Sequence, residues 1–208
     1  MRSNRSRRTI FKTTLLGLAA LAALGTMALP ALADATVGTV APAFTLKGVD
    51  GKNHSLADYK GKVVVLEWIN PNCPVSNRHA REKTMTDLVK QHGEVVWLGI
   101  NSTSPSSSEF LKPADHQAYD QKFGITYPVL YDETGQVGHA YGARTTPHMF
   151  IVGADGKIAY NGAIDDDPGG RKAKIARVNF VDGGLTAERA SKAPDPAATK
   201  PYGCSVKY

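Results

Sequence analysis

The side chains best suited to chemistry in this sequence are two cysteines, Cys73 and Cys204. Cys73 follows an apolar run and an Asn-Pro-Asn turn, and it directly precedes Pro74. Because proline suits the first turn of a helix, this order predicts a thiol between a buried strand and a helix N-terminus. The free N–H groups and the dipole at such a terminus favour the thiolate, which is the nucleophilic form. Cys73 is therefore a candidate for redox or nucleophilic chemistry, with an inert buried cysteine as the alternative.

The elements expected around Cys73 alternate between strands and helices. Runs of β-branched and apolar residues predict strands over 42–46, 62–69, 95–101, 127–131 and 148–152. Helical spacing of apolar residues predicts helices over 77–92 and 113–123. Ala154-Asp155-Gly156 predicts a hairpin turn into a further strand over 157–163. This order indicates an α/β domain with a central mixed β-sheet flanked by helices.

The composition changes after Leu185. Residues 190–201 are rich in alanine, proline and lysine without apolar periodicity, and Cys204 follows them. We therefore expect residues 186–208 to form an extended C-terminal arm that carries Cys204. A disulfide from this arm to Cys73 would stabilise the fold by about 5 kcal/mol in the chain-entropy description, so a purely structural staple is an alternative.

The N-terminus has the pattern of an export signal. Residues 1–33 contain five basic and no acidic side chains, with an apolar stretch over 13–29. Ala31-Leu32-Ala33 supplies a small-x-small cleavage pattern. Residues 6–12 also resemble the twin-arginine signal, for which a Sec signal is the alternative. We expect residues 1–33 to be removed, leaving a periplasmic or secreted protein without a stable membrane anchor after cleavage.

The charge balance argues against a nucleic-acid partner. The chain has 25 Lys+Arg and 19 Asp+Glu, and removing the five basic residues of 1–33 leaves 20 against 19. So little net charge gives no indication of a basic surface that would imply nucleic acid. The histidines are scattered without metal-ligand spacing, so no metal or other cofactor is expected.

Four motifs, taken in order, connect the chain to a known group of proteins. They are Leu66-Glu67-Trp68 before Asn70-Pro71-Asn72-Cys73-Pro74; Arg78-His79; Thr145-Thr146-Pro147-His148-Met149-Phe150; and Gly203-Cys204-Ser205-Val206-Lys207. With these motifs the chain resembles the thioredoxin superfamily, most closely its peroxiredoxin-like (redoxin) branch of alkyl hydroperoxide reductase and thiol-specific antioxidant proteins. The resemblance covers about residues 37–165 and recurs at the C-terminus. It implies a thioredoxin-like fold over residues 36–185.

The resemblance implies catalytic roles for three residues. Cys73 matches the nucleophilic thiol. Glu67 matches a buried carboxylate that relays protons to and from the thiols, and burial in a strand would raise its pKa. The alternative for Glu67 is a solvent-facing position at the strand end. Cys204 matches the family's C-terminal cysteine and is expected to act as the resolving thiol.

The resemblance also implies a substrate-binding loop beside the thiol. Thr146 and Pro147 match the cis-proline loop that faces the thiolate and offers its backbone to an extended substrate. Asn70 and Pro74 flank the cysteine motif and complete the expected substrate-binding set.

Departures from the family pattern bear on the expected reaction. Ser76 stands where thioredoxin has its second cysteine, so the resolving thiol must be Cys204, another protein or a small thiol. Asn70 and Pro147 stand where peroxiredoxins carry the hydroxyl and the arginine that bind peroxide. Arg78 and Arg144 are the candidates to replace that arginine.

These departures favour thiol–disulfide exchange over peroxide reduction. We predict an exported oxidoreductase with Cys73 as nucleophile, a protein or small-molecule disulfide as substrate, and an external reductant. A thiol-dependent peroxidase is the first alternative, in which Cys204 captures a sulfenic acid on Cys73. A secreted, non-enzymatic domain stapled by the two cysteines is the second.

Overall fold

The computed structural model describes Met1 and residues 35–208, and within them a seven-stranded mixed sheet. Its strands are β1 Thr45–Gly48, β2 Asn53–Ser55, β3 Val64–Trp68, β4 Val96–Asn101, β5 Val129–Tyr131, β7 His148–Val152 and β8 Ile158–Gly162. They lie in the order β2-β1-β5-β4-β3-β7-β8. Two further short strands, β6 Thr145–Thr146 and β9 Cys204–Ser205, form a separate ladder.

Strand β3 lies inside the sheet, parallel to β4 on one side and antiparallel to β7 on the other. All five of its residues are buried, because helices and loops cover both faces of the sheet. Such a strand is continuously apolar in sequence, and this is the run that predicted it. Any polar side chain within β3 is therefore forced into the interior, and Glu67 is that side chain.

Helices flank the sheet on both faces. They are α1 Pro74–Arg81, α2 Thr84–Gln91, α3 Pro113–Phe123, α4 Gln136–Tyr141 and α5 Phe180–Arg189. Side chains that alternate along β3 enter two apolar clusters, with Leu66 and Trp68 in one and Val65 in the other. Helix α4 packs against the first cluster, and α2, α3 and α5 pack against the second. The predicted α/β class with a central mixed sheet is confirmed.

Two sequence predictions were wrong in detail. The single helix expected over 77–92 is two helices, because Lys83 adopts the left-handed conformation (φ 56°), which cannot continue an α-helix. The predicted start of the arm at residue 186 falls inside α5, because Val181 and Leu185 bury one face of that helix. The arm begins after Arg189, at the end of α5.

The predicted export signal, residues 1–33, lies outside the described residues apart from Met1. Across the part of the chain that is described, no helix combines the length and the apolar character needed to cross a bilayer.

Candidate active site

Cys73 sits at the N-terminus of α1, as predicted. Strand β3 ends at Trp68, and the turn that follows is closed by the N–H of Cys73, which donates to the carbonyl of Asn70 over 3.0 Å. Cys73 is the N-cap residue with extended backbone angles (φ −81°, ψ 123°), and Pro74 is the first helical residue. The thiol therefore lies against the free N–H groups that begin the helix.

The side chain of Asn70 holds this turn in place. Its Oδ1 accepts the N–H of Asn72 over 2.8 Å, and its Nδ2 donates to Oε2 of Glu109 over 3.1 Å. Asn72 adds a second link, since its Nδ2 donates to the carbonyl of Glu109 over 3.0 Å. Both ends of the buried Asn70 amide thus bind protein groups. The geometry gives Asn70 a positioning role in the turn before Cys73.

The C-terminal arm brings Cys204 to Cys73 across 131 positions of sequence, and the two Sγ atoms lie 2.7 Å apart. Strand β9 pairs antiparallel with β6, so that Cys204 lies opposite Thr146. The Sγ of Cys73 also lies 3.0 Å from the carbonyl oxygen of Thr146. The Thr146-Pro147 peptide bond is cis, as the resemblance implied. The two thiols, both free, and the cis-proline loop therefore meet at one place.

The surroundings of the two thiols separate their pKa values. Burial acts to raise the pKa of Cys73, but hydrogen bonds from Cys204, from the N–H of Ser76 and at Thr146 outweigh it and hold that pKa below its ordinary value. Burial, together with the hydrogen bond and the charge of Cys73, raises the pKa of Cys204 to about 11. Of the two thiols, Cys73 is therefore the one that loses its proton more readily, while Cys204 keeps its proton to higher pH.

Glu67 is buried on the side of the sheet that the active-site helix α1 covers, with 4% of its surface exposed. Tyr127 donates its O–H to Oε2 of Glu67 over 2.7 Å. Burial raises the pKa of Glu67 to about 7, against the opposing effect of the Tyr127 hydrogen bond. The predicted burial is confirmed, and the solvent-facing alternative does not hold. A carboxyl group with this pKa can take up and release a proton at neutral pH.

Two residues near Glu67 had no signal in the sequence. Tyr127 lies at the entrance to β5 and supplies the hydrogen bond to Glu67. Asp120, on α3, is buried, and burial together with the charge of Glu67 raises its pKa to about 7. An acidic residue on a helix of mixed composition looks solvent-exposed in sequence, so only the tertiary packing identifies Asp120 as part of a buried acidic pair.

The side chains of His79 and Arg78 contact groups other than the two thiols. His79 is buried, its Nε2 lies 3.2 Å from the phenol oxygen of Tyr202, and its Nδ1 lies 3.2 Å from Oγ1 of Thr84. Burial, against the opposing charge of Asp165, lowers the pKa of His79 to about 4. Arg78 donates through Nη2 to the carbonyl of Asp167 over 2.9 Å. His79 is thus a neutral anchor for the arm, and Arg78 is engaged elsewhere than at a bound peroxide.

Among residues 35–208, no group of three potential metal ligands lies together. A thiol of lowered pKa at a helix N-terminus, a facing cis-proline loop and a second thiol on a mixed sheet define a thioredoxin-like thiol oxidoreductase.

Comparison with known proteins places the chain in a family. The sequence profile of the AhpC/TSA family matches residues 37–161. Over 158 residues the chain is 30% identical to thiol-disulfide oxidoreductase ResA of Geobacillus thermodenitrificans, covering 74% of this chain and 86% of that protein. Over 153 residues it is 31% identical to a provisionally named peroxiredoxin of Mycobacterium tuberculosis, covering 74% and 91%. The chain belongs to the AhpC/TSA family.

A solved structure agrees with this assignment. An uncharacterized conserved protein from Geobacillus kaustophilus superposes with a TM-score of 0.75 at 28% identity, covering 84% of this chain and 93% of that one. The predicted thioredoxin-like fold is confirmed, and the protein is an oxidoreductase that acts on thiols. The family match ends at residue 161, so the arm with Cys204 lies beyond it.

Proposed function

We propose that this protein is an exported thiol–disulfide oxidoreductase in which Cys73 attacks a disulfide and Cys204 resolves the mixed disulfide. The observation that supports this most strongly is the sulfur pair, with Sγ atoms 2.7 Å apart. The pKa of Cys73 lies below its ordinary value while that of Cys204 is raised to about 11. Cys73 is thus the thiol suited to the first attack, and Cys204 lies beside it for the second.

The reaction proceeds in two exchange steps. The Cys73 thiolate attacks one sulfur of the substrate disulfide, that S–S bond breaks, and one half of the substrate leaves as a thiolate. Cys204 then loses its proton and attacks Sγ of Cys73, and the second half leaves as a thiolate. Two electrons have passed to the substrate, and the protein holds a Cys73–Cys204 disulfide. An external thiol reductant returns the pair to the dithiol.

Neighbouring residues support each step. Glu67, whose pKa is about 7, is the buried group suited to take up the proton that Cys204 loses. Thr146 and Pro147 offer the backbone against which a substrate segment docks, since Thr146 already pairs with a strand there. Pro74 fixes the start of α1 beside the thiol.

A second candidate function is a thiol-dependent peroxidase, which the relative provisionally named a peroxiredoxin favours. In that reaction the Cys73 thiolate attacks one peroxide oxygen, the O–O bond breaks, and a sulfenic acid forms with release of water. Cys204 then attacks the sulfenic sulfur and a second water leaves. The site supports this less well, because Asn70 binds Glu109 and Arg78 binds Asp167.

A direct comparison of the two substrates tests the proposal. We expect the reduced protein to reduce a test disulfide such as oxidised glutathione with saturation, and to consume hydrogen peroxide no faster than an ordinary low-pKa thiol. The reason is that a missing polarising group lowers a rate by on the order of a hundredfold. Stopped-flow traces of both reactions on one preparation make the comparison. Fast, saturable peroxide consumption that disappears in Cys73→Ser would put the peroxidase first.

Export is proposed from the N-terminal sequence. We expect the mature protein to begin near Asp34 outside the cytoplasm, and Arg7→Lys with Arg8→Lys to block export by the twin-arginine route. N-terminal sequencing of cell fractions measures both. An export rate unchanged by the two substitutions indicates a Sec signal, and an intact Met1 terminus confined to the cytosol contradicts export.

A further inference from the structure

The docked C-terminal arm covers the nucleophile, Cys73. Cys73 has 0% of its surface exposed, whereas Cys204 is only half-buried. The edge of β6 that would receive a substrate strand is occupied by β9, with Thr146 opposite Cys204 and Thr145 opposite Ser205. The chain thus holds a strand of its own where an external strand would bind. An external disulfide reaches Cys73 only when that strand is absent.

Gly203 sets how closely the arm approaches the cis-proline loop. A Cβ atom at this position would lie 2.1 Å from the carbonyl oxygen of Thr146, and its φ of 138° is one that L side chains rarely adopt. Backbone cannot yield to a contact of this kind as a flexible side-chain tip could. The docking edge therefore admits only a very small residue immediately before the cysteine of the strand it binds.

Both sides of Cys204 are anchored by the body of the domain. Before it, the phenol of Tyr202 donates to Oδ1 of Asp165 and lies 3.2 Å from Nε2 of His79. After it, the N–H of Val206 donates to the carbonyl of Arg144 over 3.1 Å. The strand is thus held on both flanks of its cysteine, in a fixed register.

The last two residues of the arm contact specific partners. The ammonium of Lys207 lies 3.1 Å from Oε1 of Glu109, and the backbone carbonyl of Lys207 accepts the N–H of Ser104 over 2.6 Å. The ring of Tyr208 stacks on His139 with centroids 3.9 Å apart, and its O–H donates to the carbonyl of Ala143 over 2.7 Å. The surface therefore has a place for a basic side chain three residues after the cysteine and for an aromatic ring after that.

We propose that this edge is a polypeptide-docking surface for which the arm and an external protein disulfide compete. The fitting partner is an extended segment with glycine before its cysteine, a basic residue three positions after it and an aromatic residue next. Main-chain pairing to β6 supplies affinity and the side-chain places supply selectivity, as in other strand additions. Because the arm is tethered, its effective concentration is high, on the order of millimolar, and a partner must match its fit to displace it. The inference rests on the proposed function.

Access to Cys73 measures the docking directly. In the Cys204→Ser protein, Cys73 is the one remaining thiol, and its alkylation by iodoacetamide at fixed pH reports how often the arm leaves. Adding Gly203→Ala is expected to raise that rate by about ten- to a hundredfold, because the new methyl group meets the Thr146 carbonyl. Gly183→Ala is the matched control, since a Cβ there meets nothing within 4 Å. Equal rates in the parent and the Gly203→Ala protein would overturn the proposal.

Binding in trans identifies the partner chemistry. A synthetic peptide with the sequence of residues 202–208, carrying serine in place of the cysteine, is expected to slow alkylation of Cys73 in the protein that carries both Cys204→Ser and Gly203→Ala. The same peptide with glutamate in place of the lysine should protect less, because it meets Glu109. Equal protection by both peptides, or protection by neither, contradicts the proposed surface.

Two further measurements keep the test sharp. If Gly203→Ala disturbs the fold by circular dichroism, Lys207→Glu in the Cys204→Ser background replaces it, with a several-fold faster alkylation expected from repulsion at Glu109. Alkylation measured on the alkaline plateau of its pH profile, where Cys73 is fully ionised, reports access alone, whereas disulfide turnover reports chemistry. If the arm never covers Cys73 but the protein still turns over disulfides, the docking surface alone is refuted. If the arm covers Cys73 but the protein does not turn over disulfides, the proposed function is refuted.

Discussion

Replacement of Cys73 by serine is expected to lower disulfide turnover by roughly a thousandfold or more, the scale seen when a catalytic nucleophile is removed. A serine hydroxyl stays protonated at neutral pH and cannot form the mixed disulfide. The assay is steady-state reduction of oxidised glutathione with an external dithiol as reductant. Turnover in Cys73→Ser equal to that of the natural sequence would show that Cys73 is structural.

The Cys204→Ser protein is expected to behave differently. It keeps the first attack, because the Cys73 thiolate remains, but turnover falls to the rate at which external thiol releases the adduct. Ser205→Ala, an exposed change on the same strand, is the control and should leave turnover near that of the natural sequence. If Cys204→Ser also turns over at the full rate, Cys204 is not the resolving thiol.

Glu67→Gln is expected to stabilise the protein at alkaline pH by up to about 3 kcal/mol, because it removes a buried ionisable group. The pKa of Glu67 rises from 4.5 in an exposed carboxyl to about 7 in the fold. Between these values the unfolded chain ionises first, so the stability of the natural protein falls as pH rises and stays low above pH 7. A shift from 4.5 to about 7 corresponds to about 3 kcal/mol.

Urea unfolding of the reduced proteins near pH 4.5 and at pH 8 measures this difference. Glutamine retains an oxygen that accepts the O–H of Tyr127, so the two proteins should match near pH 4.5 and diverge at pH 8. An unchanging stability difference across this range contradicts the raised pKa.

The same substitution is expected to slow the resolution step about a hundredfold, the lower end of proton-transfer effects. Release of the second substrate thiol in a single turnover reports this step. Release at the rate of the natural sequence would mean that the proton of Cys204 leaves by another path.

The parts of the fold that the sequence predicted well are those with local signals. Helix α3 and strand β7 have the predicted bounds. For the helix the reason is that Pro113 begins it and Gly124 ends it in the left-handed conformation (φ 69°). The break at Lys83 escaped prediction, since a lysine in that conformation carries no signal of its own. Helices α4 and α5 were missed because their glycines obscure the apolar spacing.

The site divides in the same way. The position of Cys73 follows from a strand, a turn and a proline that are adjacent in sequence. Its approach to Cys204 has no local signal, since 131 positions separate the two. The count of two cysteines offered the pairing as a staple, and the family resemblance implied it as a resolving pair. The engagement of Asn70 by Glu109 and the anchoring of the arm at Tyr202 depend on contacts between distant segments, which no local pattern encodes.

The most direct test of the division of labour between the two cysteines is a single turnover with one equivalent of oxidised glutathione, followed by peptide mapping with mass spectrometry. We expect the natural sequence to yield a peptide pair joined by Cys73 and Cys204. We expect Cys204→Ser to carry the glutathione adduct on Cys73, and Cys73→Ser to retain a free thiol at Cys204, because burial still raises the pKa of that thiol. An adduct that forms on Cys204 in Cys73→Ser as fast as the one on Cys73 in Cys204→Ser would contradict the assignment.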